Sequence, residues 1–95
     1  MDYESTISRS DGWLAGRIGE ELLMMSADSS AYLSLSGTGG RIWELLEKPC
    51  TLTGLCETLA AEYDVLPTEI RDEVLVFLER LQLQHAIQLH PSALA

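Results

Sequence analysis

The sequence predicts an α+β domain, a three-stranded antiparallel sheet followed by three helices. Three observations carry that reading. Between residues 13 and 35 apolar residues come in short runs broken by turn formers; after Leu35 their spacing changes to the three-and-four period of a helix; and every connection is short. Ninety-five residues, 46% of them hydrophobic, supply one core and not two.

Residues 1–12 set Ser5, Thr6, Ser8, Ser10 and Asp11 around a lone Ile7 and read as a flexible N-terminal arm, with the domain itself over 13–90. Two apolar-rich runs, 13–17 and Glu21–Ser26, form a hairpin across Ile18, Gly19 and Glu20, where the glycine supplies the positive φ of a tight turn. After the turn formers of 27–30, Leu33 and Leu35 alternate with Tyr32 and Ser34, the mark of a third, half-buried strand over 31–35. Ser36 is the expected N-cap of a first helix over 37–47, with Ile42, Leu45 and Leu46 on one face and Lys48-Pro49 as its stop. Thr51 or Thr53 caps a second helix, whose stripe is Leu52, Leu55, Cys56, Leu59, Ala60 and Tyr63. Pro67 suits the first position of a third helix, with Glu69 near the positive end of its dipole. Ile70, Val74, Phe77, Leu78 and Leu81 line that helix's core face, and residues 86–89 read as a short extended tail. This order of elements resembles a winged helix-turn-helix variant.

Composition narrows function. Fifteen acidic residues against six Lys and Arg give a net charge of -9, which repels phosphate backbones and anionic membrane faces. No apolar stretch is long enough to span a bilayer and the start lacks a secretion signal, so the expected location is cytoplasmic, where Cys50 and Cys56 are thiols. Ser36-Gly37-Thr38-Gly39-Gly40 sits where a phosphate cradle would, but it lacks the Lys-Ser/Thr ending of a P-loop and reads as a strand-to-helix turn. Cys50 and Cys56 with His85 and His90 have zinc-ligand chemistry at the wrong spacing, and Cys56 falls on an apolar stripe; no metal and no cofactor are expected. No nucleophile elbow or metalloprotease motif occurs, and Glu57, Glu62, Glu69, Asp72, Glu73 and Glu79 fall mostly on solvent-facing helix positions. The protein is therefore not expected to be an enzyme.

Two binding hypotheses remain. A winged-helix DNA-binding transcriptional regulator fits the element order, but Glu69, Asp72, Glu73 and Glu79 outnumber Arg71 and Arg80 on the nominal recognition helix. The other is peptide capture. A third strand paired on one side leaves backbone groups free to template a further strand, and Leu75, Val76 and Leu83 give the third helix apolar surface beyond its core stripe. The competing use of those side chains is packing on the tail or on a second copy of the chain.

Tyr32-Leu33-Ser34-Leu35-Ser36, with Gly39-x-x-Ile42-Trp43-x-Leu45-Leu46, resembles the PqqD-like peptide-recognition family. Thr51 through Leu55, Leu59 to Tyr63-Asp64-Val65, and Glu73-Val74-x-x-Phe77-Leu78-x-x-Leu81 continue the likeness over residues 13–87. Two departures stand out: Ser36 replaces a capping Asn, and Gln84-His85-Ala86 stands where the family has a Gly near the end of the third helix. The resemblance implies non-catalytic binding of the leader segment of a ribosomally synthesised, post-translationally modified precursor peptide. The leader adds as an antiparallel strand beside the third strand and against the third helix, and is delivered to a separate processing enzyme. Carried over, Ser30, Ala31, Tyr32, Leu33, Ser34 and Leu35 give the ladder, and Asp72, Leu75, Val76 and Glu79 flank the groove. A stand-alone protein of a lasso-peptide pathway with a leader peptidase as partner is the first expectation, and a quinone-cofactor pathway the second.

Overall fold

The computed structural model describes residues 5–90. Three strands, β2 (Trp13–Ile18), β3 (Glu21–Ser26) and β4 (Tyr32–Ser36), form an antiparallel sheet in the order β2-β3-β4. They are followed by α1 (Thr38–Leu45), α2 (Leu52–Tyr63) and α3 (Pro67–Leu83), which gives the expected α+β class and order. No described helix is long and apolar enough to cross a membrane.

Residues 6–9 correct the expectation of a flexible arm. They form β1 (Thr6–Arg9), the middle strand of a second small sheet between β5 (Cys50–Thr51) and β6 (Ile87–His90), both antiparallel to it. Ile7 is 0% exposed and belongs to the core with Leu52, Leu55 and Ile87. One apolar side chain in a polar run suffices here because pairing on both sides satisfies the backbone. Arg9 strengthens the seam. Its guanidinium stacks on the Trp43 ring, 4.6 Å from the centroid, and donates through Nε and Nη2 to the Trp43 carbonyl, one of the C-terminal carbonyls α1 leaves unpaired.

The helices begin and end for local reasons. Thr51 caps α2, its hydroxyl accepting from the Gly54 amide at 3.1 Å, and Pro67 opens α3. The cap expected of Ser36 is not formed: Ser36 remains in β4, and the N-cap of α1 is Gly37, with φ 57° and no side-chain bond. A left-handed φ at that corner favours glycine, which turns the chain from sheet to helix within one residue. At the far end of α3, His85 takes φ 59° while the Ala86 amide donates to the Leu81 carbonyl. The helix thus closes in the left-handed cap geometry usual for glycine, and the tail leads on into β6.

Ile42, Trp43, Leu46, Leu52, Leu55, Leu59, Ile70, Val74, Leu78 and Leu81 fill the core with Leu22, Met24 and Leu35 from the inner face of the larger sheet. α2 and α3 make the most extensive helix–helix contact, and Arg41 ties α1 to α2 through a two-point bond to Glu62 at 2.8 and 2.7 Å. That bond holds the exposed Glu62 carboxyl below its ordinary range. Tyr63, expected on the α2 stripe, is exposed.

Candidate peptide-binding groove

The hydrogen bonds around β3 fix which backbone groups each edge of the larger sheet presents. The Ser26 amide donates to the Ala31 carbonyl at 2.8 Å, and the Ala27 amide to the Gly12 carbonyl at 2.8 Å. In an antiparallel ladder such bonds alternate along each strand. With the observed register, Leu33 and Leu35 turn their amides and carbonyls toward β3, while those of Tyr32, Ser34 and Ser36 point outward. On the opposite edge, Leu14, Gly16 and Ile18 face β3, and Trp13, Ala15 and Arg17 face outward. Among the described residues no strand covers the outer edge of β4, since β1 pairs only with β5 and β6.

Beside that edge lies α3. A groove of about 510 Å³ opens between them, lined by Ser34, Leu35 and Ser36 on the strand side, Thr38, Gly39 and Ile42 from α1, and Asp72, Glu73, Val76, Phe77 and Arg80 from α3. A smaller pocket of about 110 Å³ continues it, sharing Leu35, Phe77 and Arg80 and adding Leu33, Leu81, Leu83 and Gln84. Val76 and Leu83 stand 60% and 78% exposed, unusual for aliphatic side chains that have a core within reach. Phe77 packs against the core, as its spacing predicts, and being only half-buried it also lines the groove. A Cβ on Gly39 would lie 2.8 Å from the Phe77 ring, so this glycine is what lets the ring lie against the first turn of α1.

The structure brings Ser34, Leu35, Asp72 and Val76 together in the groove and Leu33 into its extension. Tyr32 points to the outer face of the sheet, where it is 72% exposed, and reaches the groove edge only through its backbone. Ser30 and Ala31 precede β4, Ser30 with φ 62°. Leu75 packs against the core and Glu79 lies on the exposed surface outside the groove lining. Sequence reasoning missed Glu73, Phe77, Arg80, Ser36, Thr38, Gly39 and Ile42. Of these, Glu73 and Arg80 were visible as neighbours of Val76 one helical turn away.

The two cysteines lie away from the groove. Burial pushes the thiols of both Cys50 and Cys56 up, away from the reactive thiolate. Among the described residues no group of three or more His, Cys, Asp or Glu side chains is placed to hold a metal ion.

Comparison with curated proteins finds no match. Among solved structures, the chain is similar to one described as TbiB1 in complex with the TbiA(beta) leader peptide. The TM-score is 0.77 at 25% identity, over 85% of this chain and 94% of that one. The model of the family described as coenzyme PQQ synthesis protein D (PqqD) matches residues 21–87, from the start of β3 to the start of β6. That span holds both walls of the groove and all three helices, and by it this chain belongs to the PqqD family.

Proposed function

We propose that this protein binds the leader segment of a ribosomally synthesised, post-translationally modified precursor peptide and performs no chemistry on it. The observation that carries the reading is the open outer edge of β4 beside an apolar-floored groove on α3. Strand addition at that edge satisfies the outward amides and carbonyls of Tyr32, Ser34 and Ser36. Alternate leader side chains, opposite Leu33 and Leu35, enter the groove. Membership of the PqqD family and the likeness to a protein solved with its leader peptide support the same reading.

Magnitudes assign the roles. Each ladder bond contributes about 1 kcal/mol net while ordering each leader residue costs about as much, so pairing alone nearly cancels. Two or three apolar leader side chains buried at about 1.5–3 kcal/mol each then set the affinity, roughly micromolar to submicromolar after the cost of association. The ladder fixes register; the groove supplies the free energy. Leader tethering raises the precursor's local concentration at a separate processing enzyme. For that enzyme a leader peptidase of a lasso-peptide pathway is the first assignment and an enzyme of a quinone-cofactor pathway the second.

The test is calorimetry with the leader encoded beside this gene. Saturable 1:1 binding in the micromolar range or tighter is expected. Heatless titration, or binding that changes at the β4 edge leave untouched, overturns the reading.

A further inference from the structure

The groove differs in charge and polarity from one end to the other, and that difference is oriented relative to the strand that would fill it. The main groove joins Ser36 and Thr38 with Asp72 and Glu73, near the start of α3; its extension joins Leu33 with Leu81, Leu83 and Gln84, at the end of the helix. Rising residue numbers on β4 therefore meet falling numbers on α3. A strand added antiparallel to β4 runs in the same direction as α3, its N-terminal part at Asp72 and Glu73 and its C-terminal part at Leu81 and Leu83. The ion pairs of Arg17 with Glu44 and of Arg41 with Glu44 and Glu62 leave Asp72 and Glu73 out, so both carboxylates at this end of the groove add to its negative charge. Arg80 lines both the main groove and its apolar extension, so a cation at the C-terminal end meets a like charge.

We propose that the groove selects an extended segment reading cation-x-apolar-x-apolar from its N-terminus, the cation being Lys or Arg. The two apolar positions lie opposite Leu35 and Leu33, because side chains directly opposite in an antiparallel pair share a face and both leucines face the helices. The cation comes two residues earlier, on the same face, where the added strand passes beyond Ser36 toward Asp72 and Glu73. The proposal rests on the leader-binding reading above and adds to it the chemistry and direction of the ligand.

The experiment is selection from a display library of random twelve-residue peptides on the immobilised full chain, repeated on Ser34→Pro and on the double variant Asp72→Lys, Glu73→Lys. Peptides dependent on Ser34 are expected to carry Lys or Arg two residues before an apolar-x-apolar pair, at least fivefold above library frequency. In the double variant the preference at that position moves to Asp or Glu. A Lys-to-Glu exchange in the best synthetic peptide is expected to weaken its binding to the original protein about tenfold. Peptides that depend on Ser34 but show no charge preference, or the reverse order, overturn this proposal and leave leader binding at β4 standing. Enrichment that Ser34→Pro does not change, with its circular dichroism spectrum preserved, overturns both.

Discussion

The two edges of the larger sheet offer the same backbone chemistry, yet they are unlike in what stands next to them. β2 and β4 each turn a row of amides and carbonyls away from β3. Beside β4, α3 adds a wall of Val76, Phe77 and Leu83, so an incoming strand finds hydrogen bonds and apolar burial together. β2 has exposed side chains along nearly its whole length, including Leu14 at 69%, and the hollow of about 300 Å³ that Leu14 and Ala15 line with Leu23, Met24, Met25 and Tyr32 takes no lining residue from a helix. The strand is tied to the helical side by Trp13, which packs against the core and donates through Nε1 to the His85 carbonyl just past α3, and by the ion pair of Arg17 with Glu44 at 3.0 Å. An open edge alone is a weak ligand for a peptide because ladder bonds and chain ordering nearly offset each other; an edge with a greasy wall beside it is a site.

Matched substitutions on the two edges test this contrast. The largest effect is expected from Val76→Glu, which sets a charge on the groove wall without disturbing the core: leader affinity by calorimetry falls at least thirtyfold, whereas Leu14→Glu leaves it unchanged. Gly39→Ala drives a methyl into the Phe77 ring, and urea denaturation is expected to show a loss of about 1–3 kcal/mol. If stability holds instead, Phe77 has moved into the groove and leader affinity drops. Ser34→Pro removes one outward amide and is expected to weaken the leader about five- to tenfold; Ala15→Pro, its counterpart on β2, is expected to change nothing. Equal losses from the two prolines would erase the distinction between the edges. The smallest effect is His85→Gly, which relieves a left-handed non-glycine residue at the end of α3. It should raise stability by about 0.5–1 kcal/mol, read as a higher urea midpoint, without altering leader affinity.

Much of this was legible in the residues because its causes are local. The Gly19 turn, the alternation through β4, the Thr51 cap and Pro67 at the first turn of α3 each depend on atoms within a few positions of one another. The groove was legible as a place but not in its lining. Asp72, Leu75, Val76 and Glu79 describe one face of α3, whereas Asp72, Glu73, Val76, Phe77 and Arg80 describe a face turned by about one residue, roughly 100°. Periodicity states which residues share a face. It does not state the angle at which that face meets a neighbouring strand. Phe77 shows the same limit: spacing assigns it to the core stripe, which it joins, but its place in the groove comes from the contact with Gly39 on another helix.

By itself, the amino-acid order determined the class of the fold, the order of its elements and the peptide-binding family, because turn chemistry, capping and apolar period act over short stretches of chain. The tertiary structure decided the rest. It made a strand of Thr6–Arg9, whose partner Ile87–His90 lies at the other end of the sequence, and it kept that strand away from β4. It also set the rotation of α3 against the sheet. Pairing between distant segments and the packing angle of a helix both depend on the whole core closing at once, and no local stretch of sequence carries that information.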